Sequence, residues 1–335
     1  MPGSADDQPQ QARLVIIMPA HDRHDLTGRT AASVLAQLRP TDDFVIVDDG
    51  STPPLESHGA FKDLGPHVRI VRHDTNRGVL AARNTLLREL PDHSHWVLFL
   101  DSDDRMLPGW RDLVDREIAA PDQAVLLWFD RLTEEAGRVD GTVASPGQVL
   151  DFDALCSGQL RGNFIAVVRR SALTGFLFDE RAWGWEGAMW AHVLTDAAGR
   201  HVPLPIAIGP TNGARPDSAS ASSANHAPDR ARGMALGAEE YIAALSPRLP
   251  TAFPDHYRDL VLTALTWRVI AGDASVRAVI RSRNGLKGAT PAQRTRWLKI
   301  LAAASLPGDV RLAVLDRRSR RRTPSLPPHA SSPLG

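Results

Sequence analysis

Trp96-Val-Leu-Phe-Leu-Asp-Ser-Asp-Asp104 is the stretch that decides the fold. Five apolar residues without a polar interruption make a strand covered on both faces, because a half-solvated strand would alternate. The strand then runs directly into Asp101-Ser-Asp-Asp104. In open α/β sheets ligands bind beyond the carboxyl ends of the strands, and acids crowded there are costly unless a cation offsets them. Two uses stay open on the residues alone. The acids can hold an oxygen-seeking divalent ion such as Mg2+ or Mn2+ and through it a diphosphate, or they can form a solvated turn that caps a helix starting near Pro108.

Working outward, the same pattern recurs. Leu14-Val-Ile-Ile-Met18 runs into Pro19, Phe44-Val-Ile-Val47 stops at Asp48-Asp49-Gly50-Ser51, and Val68-Arg-Ile-Val71 is a shorter third strand. Asp25 can cap a helix over 26–38, with Val34, Leu35 and Leu38 inward. Val79, Ala82, Leu86, Leu87 and Leu90 keep helical spacing and predict a helix over 79–90. Ala124-Val-Leu-Leu-Trp-Phe129 is a fifth strand. Strand and helix alternating in this way predict an α/β domain, a mostly parallel central sheet with helices on both faces.

Beyond about residue 135 the pattern changes. Residues 163–168 read as a strand, 186–198 as a helix, and 211–231, rich in Ser, Ala, Asn and Pro, as a loop whose length suggests a function. From 233 to 316 the signal is helical, with Leu260, Val261, Ala264 and Trp267 on one stripe. The expected organisation is a disordered leader at 1–12 and an α/β domain at 13–232, whose halves are 13–130 and 131–232. A C-terminal helical region at 233–316 and a disordered basic tail at 317–335 complete it.

Composition excludes several classes. Lys plus Arg and Asp plus Glu both number 39, so no net charge draws the chain to nucleic acid. The single cysteine, Cys156, rules out an intrachain disulfide and a cysteine-based zinc site, and reads as a small buried residue. No apolar run reaches the roughly 18 residues of a membrane span, and Met1 to Gln11 has no signal-peptide core. A reducing, cytoplasmic location is the expectation. Arg317-Arg-Ser-Arg-Arg-Arg322 is a solvated end or, as the alternative, a weak peripheral contact with anionic lipid. His21 and His24 lie three apart, but in a loop that reads as ligand-side rather than as a histidine metal site.

Four blocks follow one another within about 90 residues: Ile16-Ile-Met-Pro-Ala-His-Asp22, Ile46-Val-Asp-Asp-Gly-Ser51, Asn76-Arg-Gly-Val-Leu-Ala-Ala-Arg-Asn84 and Phe99-Leu-Asp-Ser-Asp-Asp104. The ordered set resembles the family 2 glycosyltransferases, enzymes of the GT-A fold. The resemblance covers about residues 13–220 and implies roles. Pro19, Ala20, Asp22 and Asp49 fall on the nucleoside side, with Asp49 on the base edge. Arg83 supports base or phosphate, and Ser102 belongs to the donor site. Asp103 would ligate the metal, with Asp101 on ribose or a metal-bound water. The general base is expected at Glu186, within Trp183-Gly-Trp-Glu-Gly-Ala-Met-Trp190, where the family has Glu-Asp and this chain has Trp185-Glu186. A register one step along would leave Gly187 there and no base. Arg161-Gly-Asn-Phe164 and Arg169-Arg170 resemble the acceptor-side segment. Arg215 is the expected diphosphate contact, in a block where Asp217 replaces the family's His.

The activity implied is inverting, metal-dependent transfer of a sugar from a nucleotide-diphosphate sugar, a UDP or dTDP donor being favoured, to an acceptor the residues do not identify. The alternative is a nucleotide-sugar-binding or scaffold protein of the same fold with impaired catalysis. The helices of 233–316 have three candidate uses: packing on the catalytic domain, pairing in a homodimer, or shaping the acceptor site.

Overall fold

The computed structural model describes residues 13–62, 64–143, 147–158, 160, 162–184, 186–210, 228–246, 248–282, 286–307, 311 and 315. The leader 1–12, the tail 317–335, residues 211–227 with Arg215 and Asp217, and also Arg161 and Trp185 lie outside the described residues.

The elements run β1 (Leu14–Ala20), α1 (His24–Leu35), β2 (Asp43–Asp49), β3 (Val68–His73), α2 (Val79–Arg88), β4 (Trp96–Phe99), β5 (Arg105–Met106), α3 (Trp110–Ile118), β6 (Leu126–Thr133), β7 (Val149–Leu150), α4 (Phe152–Cys156), β8 (Phe164–Arg169), α5 (Gly187–Val193), β9 (Gly199–Gly209), α6 (Pro228–Leu245), α7 (Arg248–Ala252), α8 (Pro254–Ile270), α9 (Val276–Arg281) and α10 (Pro291–Ala304). They form one sheet in the order β3-β2-β1-β4-β8-β6-β9-β5, with β7 also on β9. β1 to β4 are parallel, β8 runs against both β4 and β6, and β9 is parallel to β6. The carboxyl ends of β1, β2, β4, β6 and β9 and the amino end of β8 therefore meet at one edge of the sheet.

The two-sided burial predicted from unbroken apolar runs is present. In β1, Val15 and Ile17 enter one core while Leu14, Ile16 and Met18 enter the other. β6 divides the same way, with Leu126 and Trp128 on one side and Leu127 and Phe129 on the other. The period of two makes this division obligatory for any strand inside a covered sheet.

Several boundaries differ from expectation. The helix expected over 26–38 ends at Leu35, and the one expected over 186–198 ends at Val193. The segment after it is β9, for which the sequence gives no strand signal. Its Gly-Arg-His-Val-Pro-Leu-Pro-Ile-Ala-Ile-Gly carries two prolines, which remove ladder donors and argue against an inner strand. The sheet absorbs them by a register shift: Phe129 pairs Val202, Asp130 pairs Pro205 and Arg131 pairs Ala207. Helix α6 begins at Pro228, ahead of the boundary expected at 233.

The C-terminal helices join the domain through shared core. Leu245, Leu249 and Leu260 belong to the same apolar cluster as β1 and β4. Leu262 and Val269 of α8 instead join Ile300 and Ala303 of α10 in a separate cluster. Helix α8 is thus buried on two faces and couples the sheet to α10.

Candidate active site

The Asp48-Asp49-Gly50-Ser51 turn is built from the inside. Asp48 is 1% exposed and accepts from the backbone N–H groups of Ser51 (2.9 Å) and Leu55 (3.0 Å) and from Arg72. Burial pushes its carboxyl up, but these donors outweigh it and hold it below the usual range. Asp48 is therefore a brace for the loop. Gly50 has φ +74°, and a Cβ there would sit 2.4 Å from the backbone of Thr75 and Asn76, so no other residue fits without moving the 75–78 segment. Asp49 grips that segment from below, accepting from the N–H groups of Arg77 (2.9 Å) and Gly78 (2.8 Å) and pairing with His73 Nδ1 at 2.7 Å. At 3% exposure it sits beneath the surface of the site.

The β1 loop is tied to the same turn. Asp22 donates its N–H to Ser51 Oγ (2.8 Å) and accepts from the N–H of Thr52 (2.9 Å). Asp22 and Arg23 both adopt positive φ, 52° and 50°. That unusual backbone turns Arg23 toward Asp103, at 3.1 Å. Pro19 and Ala20 pair with Val47 and Asp48 directly behind the loop.

The three acids after β4 have three environments. Asp101 is 58% exposed and meets Arg83 Nη2 at 2.9 Å. Asp103 is 18% exposed; burial and the nearby Asp101 charge push its carboxyl up against the pull of Arg23 and Arg131. Asp104 is 2% exposed and paired with Arg131 at 2.7 Å. Burial pushes Asp104 up to about 7, Arg131 pulls against this, and Asp101 and Asp103 add to the rise. Ser102 is buried, and its carbonyl accepts from Thr30 Oγ1 at 3.0 Å, which anchors the turn to α1. Asp104 is thus structural, while Asp101 and Asp103 are left at the surface.

Arg83 connects this turn to Glu186. Helix α2 is buried nearly all round and Arg83 is 5% exposed, so its guanidinium has little freedom. The same Nη2 lies 2.9 Å from Asp101 and 2.8 Å from Glu186 Oε1. The side chain of Glu186 is 36% exposed, and the open edge faces a cavity. Low solvation inside that cavity pushes its carboxyl up, Arg83 opposes the shift, and Asp101 adds to it. Asn84, next on the helix, donates to the Phe178 carbonyl at 2.9 Å and to Glu180 at 3.1 Å, fixing the segment that leads to Glu186.

The cavity holds about 1960 Å³ and takes in Arg83, Asp101 and Glu186. Its floor is aromatic. Trp128 and Phe164 stack with rings 5.1 Å apart and nearly parallel, and Trp190 meets Trp128 edge-on at 5.7 Å. Its far wall comes from α8 and α10. The structure therefore brings Arg83, Asp101 and Glu186 into direct contact, with Asp103 two residues away. Asp49, Asp22, Pro19 and Ala20 lie on the β1–β2 side, outside the residues that line the cavity.

The residue reading did not find Arg23, His73 and Arg131, each the partner of a motif acid. For Arg131 a signal existed: Asp130-Arg131 are charged residues at the end of a buried strand. His73 and Arg23 carried none, because their partners are 24 and 80 residues away. Cys156 is free and 0% exposed, and burial pushes its thiol up to about 11, which leaves it unreactive.

Among the described residues, no group of three or more His, Cys, Asp or Glu side chains is disposed to hold a metal unaided. The donor set nonetheless fits Mg2+ or Mn2+ held jointly with a ligand. Such ions keep waters and take one or two carboxylates plus substrate phosphates; Asp101 lines the cavity and Asp103, two residues on, is partly exposed beside it in sequence.

Residues 15–147 match the family model Glycosyl transferase family 2. The chain is 37% identical over 95 residues to the succinoglycan biosynthesis protein ExoU of Rhizobium meliloti, covering 28% of this chain and 27% of that one. It is 32% identical over 91 residues to the teichuronic acid biosynthesis glycosyltransferase TuaG of Bacillus subtilis, a name given to that protein provisionally, covering 27% and 35%. The matched segments thus span about a third or less of these relatives. Among solved structures, S. aureus TarS 1–349 in complex with UDP-GlcNAc superposes with a TM-score of 0.55 at 16% identity, over 90% of this chain and 84% of that one. The UDP complex of the same protein gives 0.52 at 15%, over 92% of each. The likeness is one of fold, and the GT-A class expected from the four blocks is the observed one.

Proposed function

We propose that the chain transfers a sugar from a UDP-sugar to an acceptor hydroxyl, with inversion and with a divalent ion. The reading rests on one observation: a single guanidinium, Arg83, touches both Asp101 and Glu186 at the edge of a large cavity. A donor-side carboxylate and a candidate base are thereby held one residue apart. The TarS complex with UDP-GlcNAc and the family match support a UDP donor.

In this reading the nucleoside lies over the β1–β2 loops, near Pro19, Ala20, Asp22 and the Asp49-braced turn. Asp103, with Asp101, would hold Mg2+ or Mn2+ together with the diphosphate, which supplies positive charge where the leaving group gathers negative charge. Arg83 adds a fixed cation at the same place. Glu186 takes the proton of the acceptor hydroxyl. The acceptor oxygen then bonds to the anomeric carbon from the face opposite the diphosphate, and the bond to the diphosphate breaks with its electron pair. The pushed-up carboxyl of Glu186 suits a base that works near neutral pH.

A second reading has its own observation. Glu186 is tied to Arg83 at 2.8 Å, and a carboxylate so paired is a weaker base. On this ground the alternative is a nucleotide-sugar-binding protein without turnover. Hydrolysis of UDP-GlcNAc with Mn2+ and no added acceptor separates the two, compared between the wild type and Glu186→Gln. Turnover that falls about 10²–10⁴-fold in Glu186→Gln, with UDP affinity unchanged, supports catalysis. UDP binding without turnover in the wild type supports the second reading, and absence of UDP binding removes both.

A further inference from the structure

The far wall of the cavity is not used by the donor chemistry above. Helix α10 presents Ala292, Thr295, Arg296 and Lys299 to the cavity, a single face at i, i+3, i+4 and i+7. Ala303 packs instead with Leu262 and Val269, and Ile300, in the same cluster, also borders the cavity. Arg296 and Lys299 are half-buried and border the cleft, while Ala292 and Thr295 are exposed at its rim.

The wall carries Asp255 and Asp259 as well as the two cations, and neither acid forms an ion pair with Arg296 or Lys299 among the described residues. Asp255 pairs with Arg258 at 2.7 Å, and Asp259 accepts from Gln293 Nε2 at 3.2 Å. Arg296 bonds only neutral oxygens, Thr263 Oγ1 at 2.9 Å and the Asp259 carbonyl at 3.5 Å. Burial pushes its guanidinium below the usual arginine range, offset in part by the more distant Asp259 charge. Neither Arg296 nor Lys299 forms an ion pair among the described residues. Among the described residues Arg296 and Lys299 thus border the cleft with N–H donors that no carboxylate occupies directly, and such donors can take an oxyanion.

The same cavity is lined by Trp190, Trp128 and Phe164 and by Glu186. Ring faces of this kind suit a sugar. The volume of about 1960 Å³ also exceeds the roughly 300–1,000 Å³ that one small ligand fills, which leaves room for an acceptor beside the donor.

Resting on the glycosyltransferase reading of the same cavity, we infer that the acceptor is an anionic saccharide. Its sugar lies against the Trp190 side of the cleft, and its phosphate or carboxylate is held by Arg296 and Lys299. The recognition is of charge, so phosphate and carboxylate are both admitted by the chemistry, and the test separates them.

The full chain, saturated with UDP and Mn2+, is titrated calorimetrically with glucose 6-phosphate, with glucuronate and with neutral glucose. The variants are Arg296→Gln/Lys299→Gln and, where the double change disturbs folding, Lys299→Gln alone. At least one anionic sugar is expected to bind about tenfold or more tightly than glucose, an advantage that shrinks with added salt. The double variant loses that advantage while it keeps UDP affinity, and Lys299→Gln loses part of it. A preference for glucose 6-phosphate alone assigns a phosphate-bearing acceptor, and one for glucuronate alone a carboxylate-bearing one. Equal affinity for all three sugars overturns the inference, as does an anion preference that survives both variants. Absence of binding by either anion up to about 10 mM overturns it too. UDP binding is measured first on the same preparations, so failure of the donor reading is seen separately from failure of this one.

Discussion

At the residue scale, the site depends on Arg83 more than on the acids it joins. A buried guanidinium held between Asp101 and Glu186 lowers the cost of keeping Glu186 ionised. Glu186 is pushed up by burial, pulled down by Arg83 and pushed up by Asp101, with a net rise. In the proposed mechanism Glu186 must be ionised to act as the base, so activity is lost as pH falls through its raised pKa. The acidic limb of the kcat/KM profile should therefore lie above the ordinary glutamate range. In Arg83→Gln the favourable charge is gone and the limb should move to still higher pH, with activity lower throughout. A pH–rate profile of both proteins checks this; a limb that stays in place or moves down would show that Arg83 does not act through Glu186. Arg83 and Asp101 stand in short local blocks that single them out, and Glu186 in a block that departs from the family pattern; the structure places all three together. Their contact was not legible, since Glu186 lies 103 positions from Arg83, although Asp101 is only 18 away. Asp49 illustrates the other side: its block was legible, but its three hydrogen-bond partners bury it in a way that only the folded turn reveals.

At the scale of elements, the parallel half of the sheet was legible because β1, β2 and β4 are apolar without interruption. The mixed half was not. β5 and β7 are two residues each, too short for any period, and the prolines of β9 conceal a strand that a bulge accommodates. The parallel half is also fastened by a buried ion pair. Arg111 of α3 is 2% exposed and Asp42, just before β2, is 0%. They form two bonds, Nε to Oδ2 at 2.6 Å and Nη2 to Oδ1 at 2.8 Å, and Asp42 also accepts the N–H of Leu14 at 3.3 Å. Removing the cation alone leaves a carboxylate buried without a counter-charge. Arg111→Ala should therefore destabilise the fold by about 3–5 kcal/mol. The pair lies at the opposite end of β2 from the Asp49 turn, so the affinity of the folded fraction for UDP should be unchanged. Urea unfolding and UDP titration of the same variant test both halves of the claim. A loss below about 1 kcal/mol would mean that water reaches Asp42.

At the scale of the whole molecule, the two apolar clusters of helix α8 join the sheet core to α10. Leu260 packs with the sheet core, while Leu262, 0% exposed, packs with Val269, Ile300 and Ala303. The wall that carries Arg296 and Lys299 is thus held by a small core of its own and joined to the catalytic domain through one helix. A cavity at Leu262 loosens the position of α10 and leaves the β1, β2 and β4 loops untouched. Leu262→Ala should cost about 2–5 kcal/mol of local stability, seen as faster amide exchange in α8 to α10 than in β1, β2 and β4. Affinity for UDP should stay at the wild-type value. The anionic-sugar preference should weaken, because its two cations are no longer fixed relative to the aromatic floor. Were exchange instead to accelerate equally in the sheet and in α10, the two cores would be one cooperative unit. The helical wall would then have no independent freedom to adapt to an acceptor.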